Sequence, residues 1–385
     1  MKILSICSNE YTTPPPPDAI QAAISISNLL NEALLARGHK VTTVCANGST
    51  TATEKVHPTT EPLFEVVKKS EFNHLTHQGV MKQLTFPFEA DLNMALLEAV
   101  NEREYDLVHF HTTPIYLSQP FARKTGRPNI FTLHGVTTPL ENRLNNTFDH
   151  PENRYVSISD YQREGFSGLQ FTKTIYHGIP IENYRFDETG GEHLAFSGRI
   201  KRIKGVGDAV RLAAEEKHRL KLCGDLRPSD QGFFEEEVQP VIDGAGGDIE
   251  YVGMIDHSKM GEFFASAKAF LFPLQWEEPF GLVLIEAMAA GTPVICFARG
   301  SIPEIVKDGE TGFVVNPADD DQRGSWTVKQ SGVEGIREAL RLLYDMPARR
   351  YQEMRKAARE HVERTFTIDK MVDNYEAVYR EALKG

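Results

Sequence analysis

Short apolar runs alternate with amphipathic stretches along most of the 385-residue chain. Residues 3–7 read as a buried strand, and residues 41–45 as a second one. Between them Ile20, Ala23, Ile24, Ser27, Leu30 and Leu34 recur at helical spacing, with Asp18 as the expected N-cap and Gly38 as the stop. From 50 to 88 the pattern is weak and polar, predicting loops and short edge strands. A helix is expected over 92–100, and strands over 105–111, 130–135, 154–158 and 173–176. The alternation restarts at 194–198 and continues through 220–223, 249–252, 269–272, 294–297 and a strand at Val314. Helices are expected over 336–344, 348–365 and 367–383. Strands alternating with helices predict parallel, doubly wound sheets.

The densest signal is Glu278-Pro-Phe-Gly-Leu-Val-Leu-Ile-Glu286-Ala-Met-Ala-Ala-Gly291-Thr-Pro293-Val294. Pro279 fits a first helical turn, Gly291 fits the position after the helix, and Pro293 forbids continuation. Residues 282–290 are apolar on every face except at Glu286, so the helix belongs in a core and its carboxylate needs a partner. Glu278 precedes the helix start, where free N–H groups and the dipole favour an anion, above all phosphate. Two carboxylates around such a start suit a ligand carrying both phosphate and hydroxyls, as a sugar nucleotide does. Taken alone, the pair reads equally well as one solvated loop acid and one core acid paired to a structural arginine.

Length favours two domains. The composition shift at 187–192 (Asp-Glu-Thr-Gly-Gly-Glu) marks the expected linker and hinge, dividing the chain into 1–186 and 187–366, with 367–385 completing the first half. Apolar content of 41% and charged content of 25% are ordinary for a globular protein. A net charge of −12 argues against nucleic acid and anionic membrane as partners. Cys7, Cys45, Cys223 and Cys296 show no metal-ligand spacing and suit reduced core residues. The start has too short an apolar run for a signal peptide, so a cytoplasmic location is expected and the sequons at Asn47 and Asn145 read as idle. The first strand–loop–helix unit carries Pro14 to Pro17 in place of a glycine-rich dinucleotide turn, which counts against a nicotinamide enzyme.

In open α/β sheets ligands bind beyond the carboxyl ends of strands. His109, His111 and His134 fall there, as do Gly198-Arg199 and Lys204-Gly205. Single histidines and loop cations are ordinarily structural or solvated. Three such histidines point instead to a functional zone; the two cations could neutralise a diphosphate, but by themselves they read as solvated.

The Glu-x7-Glu arrangement, continued through Gly300-Ser-Ile-Pro-Glu304 to Gly309-Glu-Thr-Gly312-Phe-Val-Val315, resembles the signature of retaining GT-B glycosyltransferases of family 4. Recognisable motifs run from 197 to 317; the first 180 residues match only loosely, and the family's N-terminal glycine pair is replaced by the polyproline loop. The resemblance implies two Rossmann-like domains facing across a cleft, the terminal helix crossing back onto the first. It implies a hexosyl donor of the UDP-glucose or GDP-mannose kind and a hydroxyl acceptor, with no metal or other cofactor. Donor contacts would come from Gly198, Arg199, Lys204, Glu278, Phe280, Gly281, Leu282 and Glu286, with Glu278 on sugar hydroxyls and Glu286 on ribose hydroxyls. His134 would contact the donor sugar, while His109, His111 and Asp18 would lie on the acceptor side. A sugar-nucleotide epimerase, a phosphorylase on the same fold, and a non-catalytic sugar-nucleotide binder are the alternatives, separable by product analysis.

Overall fold

The computed structural model describes residues 1–16, 19, 21–67 and 78–384. The chain divides into two compact units, Met1–Gly178 with Ile368–Gly385, and Ile179–Thr367. Among the described residues no helix is long and apolar enough to cross a membrane.

The first unit carries strands β1 (Lys2–Ile6), β2 (Lys40–Val44), β3 (Glu54–Val56), β4 (Leu107–Phe110), β5 (Asn129–Thr132), β6 (Asn153–Ser157) and β7 (Phe171–Thr174). They form one sheet in the order β3-β2-β1-β4-β5-β6-β7, and every pairing is parallel. Strands buried on both faces are apolar nearly throughout, and β4, Leu-Val-His-Phe, is buried at all four positions, its one polar residue included. Leu4, Ile6, Val108, Phe110, Phe131 and Tyr155 lie in its core. The helix Ala22–Ala36 ends at Gly38, whose φ of 84° suits glycine. It starts four residues after Asp18, which lies outside the described residues.

The pattern misjudges one stretch of this unit. A helix runs over Gln78–Glu102 with Pro87 inside it, where loops and a short helix from 92 were expected. Polar composition and a proline both weigh against a helix locally. Packing of Leu92, Ala95, Leu96 and Ala99 into the core anchors its second half.

The second unit carries β8 (His193–Ser197), β9 (Leu220–Cys223), β10 (Ile249–Tyr251), β11 (Ala267–Phe272), β12 (Val294–Phe297) and β13 (Gly312–Val315). Their order is β10-β9-β8-β11-β12-β13, again all parallel. In each sheet the strand order reverses once, beside β1 and β4 in the first and beside β8 and β11 in the second. Such reversals place ligand crevices at the carboxyl ends of those strands.

The unit boundary lies at Gly178–Ile179, not at 187. Residues 187–191 are packed within the second unit rather than forming a hinge. The Asp187 amide donates to the Ala290 carbonyl (3.3 Å), and the Asp187 carbonyl accepts from Arg355 Nε (2.7 Å). A Cβ on Gly191 would meet the Ser266 carbonyl oxygen at 1.9 Å. These glycines permit close approach, a use that composition does not distinguish from flexibility. At the actual boundary Ile179 pairs with Thr367 as an isolated bridge. The helix Ile368–Ala382 then belongs to the first unit, where Met371, Val372, Tyr375, Val378 and Tyr379 are buried.

Candidate active site

The loops that leave β8 and β11 build one polar site in the second unit. β8 delivers Gly198 and Arg199, and a short 3₁₀ turn (Arg202–Lys204) follows. Gly205 ends that turn at φ 78° and caps the helix Val206–Glu215; a Cβ there would lie 2.0 Å from the Pro273 carbonyl oxygen. The turn is thereby pressed onto the loop after β11, and the Gln275 amide donates to the Ile203 carbonyl (2.9 Å).

This contact sets the central ion pair. Lys204 Nζ donates to Glu278 Oε2 at 2.8 Å, and Trp276 Nε1 donates to the same oxygen at 3.0 Å. The two charged side chains are only 14% and 13% exposed. Lys204 Nζ also lies 5.4 Å from the Trp276 ring centre and 5.9 Å from that of Phe272.

Arg199 is half-buried. Burial and the neighbouring Arg227 press its guanidinium below the ordinary arginine range, while Asp230, Asp225 and Glu278 act the other way. Arg227 is itself held by Asp225 (3.1 Å), but Arg199 makes no hydrogen bond or salt bridge to a described residue. A desolvated, unmatched guanidinium is prepared for an anion.

The helix of the densest sequence signal spans Leu282–Ala289, with Gly281 at its N-cap and no side chain capping it. Pro279 therefore precedes the helix instead of occupying its first turn. The backbone swings through Gly281 at φ 89°, and the buried Phe280 fixes the loop as its carbonyl accepts from Ser301 Oγ (2.9 Å). Leu284, Ile285, Ala287, Met288 and Ala289 are buried as the apolar pattern requires. Glu286 is half-buried on this helix. Burial raises its carboxyl above the ordinary range, with His257 and the Tyr184 hydroxyl opposing. Tyr184 Oη is buried and faces this carboxylate.

Behind Glu278 stands a second carboxylate. Glu277 accepts from Arg299 Nη1 (2.9 Å), the Gly300 amide (2.6 Å) and Arg323 Nη1 (2.7 Å). The Ser301 amide donates to the Glu278 carbonyl (2.9 Å), and a Cβ on Gly300 would sit 2.2 Å from that oxygen. The turn after β12 and the loop after β13 thus brace the backbone that carries Glu278.

In the first unit His109 of β4, His111 just beyond it, His134 after β5 and His177 after β7 form a column. His109 is fully buried, its Nδ1 on Tyr379 Oη (2.7 Å) and its Nε2 on Thr132 Oγ1 (2.8 Å). His111 Nδ1 meets His134 Nε2 at 2.9 Å, and His177 stacks on His134 with ring centres 5.4 Å apart. Burial pushes His109 down to about 3 and His134 to about 4, and holds His111 and His177 well below the ordinary histidine range. The column is therefore neutral at pH 7. One proton lies between His111 and His134, so the tautomer of His111 decides whether the unpartnered His134 Nδ1 donates or accepts.

Comparison with known proteins decides the family. The model of glycosyl transferases group 1 matches residues 184–361, and that of glycosyltransferase family 4 matches residues 28–183. Glycogen synthase of Mycobacterium tuberculosis is 26% identical over 100% of this chain and 96% of its own. D-inositol 3-phosphate glycosyltransferase of an Arthrobacter species is 31% identical over 45% of this chain and 39% of its own. Among solved structures, sucrose-phosphate synthase from Thermosynechococcus elongatus superposes with a TM-score of 0.73 at 20% identity, covering 99% of both chains. Anabaena HepE in complex with UDP-glucose gives 0.69 at 15% identity, covering 99% of this chain and 100% of its own. This chain is a family 4 glycosyltransferase with the GT-B fold.

In this family 4 chain Lys204 meets Glu278 directly, Arg199 is near enough to feel the Glu278 charge, and Gly198, Phe280, Gly281 and Leu282 lie on the same loops. Glu286 stands one helical segment further on, facing Tyr184. His109, expected on the acceptor side, is instead a core residue whose two ring nitrogens are both satisfied within the first unit. His111 is buried behind His134. Asp18 lies outside the described residues. Sequence reasoning passed over Trp276, Glu277 and Tyr184. The first two flank a recognised glutamate and could have been found there; Tyr184, distant in sequence, carried no local signal.

Proposed function

We propose that this glycosyltransferase moves a hexosyl unit from a nucleoside diphosphate sugar, UDP-glucose or GDP-mannose in kind, to a hydroxyl acceptor with retention at the anomeric carbon. The observation that carries this reading is the Lys204–Glu278 pair beside an unmatched Arg199 and an uncapped helix start. Those groups are the complement of a diphosphate joined to a polyol. A donor would exchange partners in the pair, its diphosphate taking Lys204 and Arg199 while its sugar hydroxyls take Glu278. Glu286, half-buried without a cation bonded to it, suits two ribose hydroxyls.

The chemistry follows from where charge grows. As the glycosidic C–O bond lengthens, negative charge accumulates on the diphosphate, and fixed cations with backbone amides stabilise it without reorganising. We assign that task to Arg199, Lys204 and the amides of Phe280–Leu282, with no role for a metal ion. The departing phosphate oxygen is the natural base for the acceptor proton, since attack on the departing face brings the two together. HepE, solved with UDP-glucose, supports this choice of donor class.

The test is turnover with UDP-glucose and GDP-mannose, following nucleoside diphosphate release and the anomeric proton of the product. An α-linked product from an α-linked donor, undiminished by EDTA, is expected. Arg199→Ala and Lys204→Ala should each lower turnover on the order of 10²-fold. An inverted product, or near-normal turnover in both variants, overturns the reading.

A further inference from the structure

Trp276 stands between two residues that are tied down on opposite sides. The Gln275 amide donates to the Ile203 carbonyl (2.9 Å), and its side chain donates to Asp208 Oδ2 (2.7 Å) in the helix Val206–Glu215. On the other side Glu277 is ion-paired to Arg299 (2.9 Å) and Arg323 (2.7 Å). We propose that Trp276 is a positioning residue for the donor sugar. Its indole N–H holds one oxygen of Glu278, so that the other oxygen meets a sugar hydroxyl after Lys204 has turned to the diphosphate. The inference rests on the donor reading above.

The two oxygens of Glu278 are used unequally. Oε2 accepts both from Lys204 Nζ (2.8 Å) and from Trp276 Nε1 (3.0 Å). Oε1 makes no hydrogen bond to a described residue and keeps accessible surface. A carboxylate oxygen only accepts, so the partner that suits Oε1 is a donor such as a hydroxyl.

The exchange of partners is what makes a second donor necessary. In the free chain Lys204 neutralises Glu278. Once a diphosphate takes the lysine, a carboxylate held by that lysine alone would be left unpaired in a largely buried place, at a cost of about 1–3 kcal/mol. The indole is carried by a backbone anchored on both sides, so its N–H stays on Oε2 and keeps Oε1 aimed. The same ring serves the lysine. Lys204 Nζ lies 5.4 Å from the Trp276 ring centre and 5.9 Å from that of Phe272, contacts that do not depend on the carboxylate.

A residue that only packs the loop behaves differently. Trp276→Phe keeps an aromatic face beside Lys204 and deletes the N–H alone. Loss of packing would weaken every ligand of the site alike, whereas loss of the N–H touches only what Glu278 holds.

The test uses the full chain, titrated calorimetrically with UDP and UDP-glucose and with GDP and GDP-mannose. Trp276→Phe should weaken the nucleotide sugar about tenfold and leave the free nucleoside diphosphate within about twofold of its original affinity. Trp276→Leu, which also removes the face beside Lys204, should weaken both. A second measurement needs no donor sugar. The chain has two tryptophans, Trp276 and Trp326, so two indole N–H signals appear by NMR, and Trp276→Phe assigns them by deleting one. Hydrogen exchange at the Trp276 indole should be slow in the free chain and at saturating UDP, and about tenfold faster in Glu278→Ala. Equal losses for UDP and UDP-glucose in Trp276→Phe, an unaltered nucleotide-sugar affinity in that variant, or an exchange rate indifferent to Glu278→Ala would each overturn the proposal. An unsubstituted chain that binds no nucleotide sugar would sink the donor reading, and the exchange rates alone would then carry or overturn the hold on Glu278.

Discussion

Two glutamates eight positions apart occupy different surroundings, and the difference predicts different losses. Glu278 is shared between a lysine and an indole N–H, whereas Glu286 faces a buried hydroxyl and bonds to no cation. Glu278→Gln should therefore impair UDP-glucose while sparing UDP, because the residue is assigned to the sugar. Glu286→Gln should weaken both. Calorimetric titration of the two ligands decides it, and equal losses in both variants would show the roles are misassigned. His109 makes a separate residue-scale case, since its pKa is depressed to about 3 by burial in the first unit. The unfolded chain takes up a proton near pH 6.5 and the folded one does not, so the stability due to neutral His109 is complete above that pH. It falls as pH drops towards about 3, by up to about 1.4 kcal/mol per pH unit. His109→Gln keeps a donor and an acceptor for Tyr379 and Thr132. Urea unfolding between pH 6.5 and 4.5, followed by circular dichroism, should show a shallower decline for that variant. An unchanged slope would mean that His109 is not neutral in the fold.

At the scale of elements, the site depends on how tightly the Arg202–Lys204 turn is held against the loop after β11. Gly205 carries both a positive φ and a carbonyl where its Cβ would be, so Gly205→Ala must move the turn, and Lys204 with it. A cost of about 2–4 kcal/mol is expected from strain and displacement together. Both tryptophans, Trp276 and Trp326, lie in the second unit, so tryptophan fluorescence reads its unfolding without interference. A loss below about 0.5 kcal/mol would show that the turn relaxes freely. The same scale exposes the limits of pattern reading. The helix Gln78–Glu102 was legible only from Leu92 onward, because periodicity appears where a face is buried, and its first turns show no such face in their sequence.

At the scale of the molecule, the chain leaves its first unit at Gly178 and returns to it at Ile368. The returning helix is sealed at its rim by Arg37 with Asp369 and Asp373, and at its centre by Tyr375 and Tyr379. Removing residues 368–385 deletes five large buried side chains, each worth roughly 1.5–3 kcal/mol, against a whole-domain stability of about 5–15 kcal/mol. The first unit should then fail to fold, while the tryptophan transition of the second persists. A truncated chain with a protected first unit would make the helix an accessory.

The sequence by itself determined the two runs of alternating strands and helices, the glutamates, the two cations and the family. All of these are encoded locally, in apolar periodicity, chain-breaking residues and contiguous spacing. It did not determine what the polar residues do. Asp187 to Gly191 look like a hinge in composition and are packed, because a glycine serves flexibility and close contact equally well. His109 and His134 both lie near the carboxyl end of a strand, the first within β4 and the second two residues beyond β5. Only tertiary structure makes one a satisfied core residue and leaves the other with an unpartnered ring nitrogen, since the partners that decide it, Tyr379 and His111, come from elsewhere in the chain. Local order is written in neighbours along the sequence; the protonation state and availability of a buried group are set by neighbours in space.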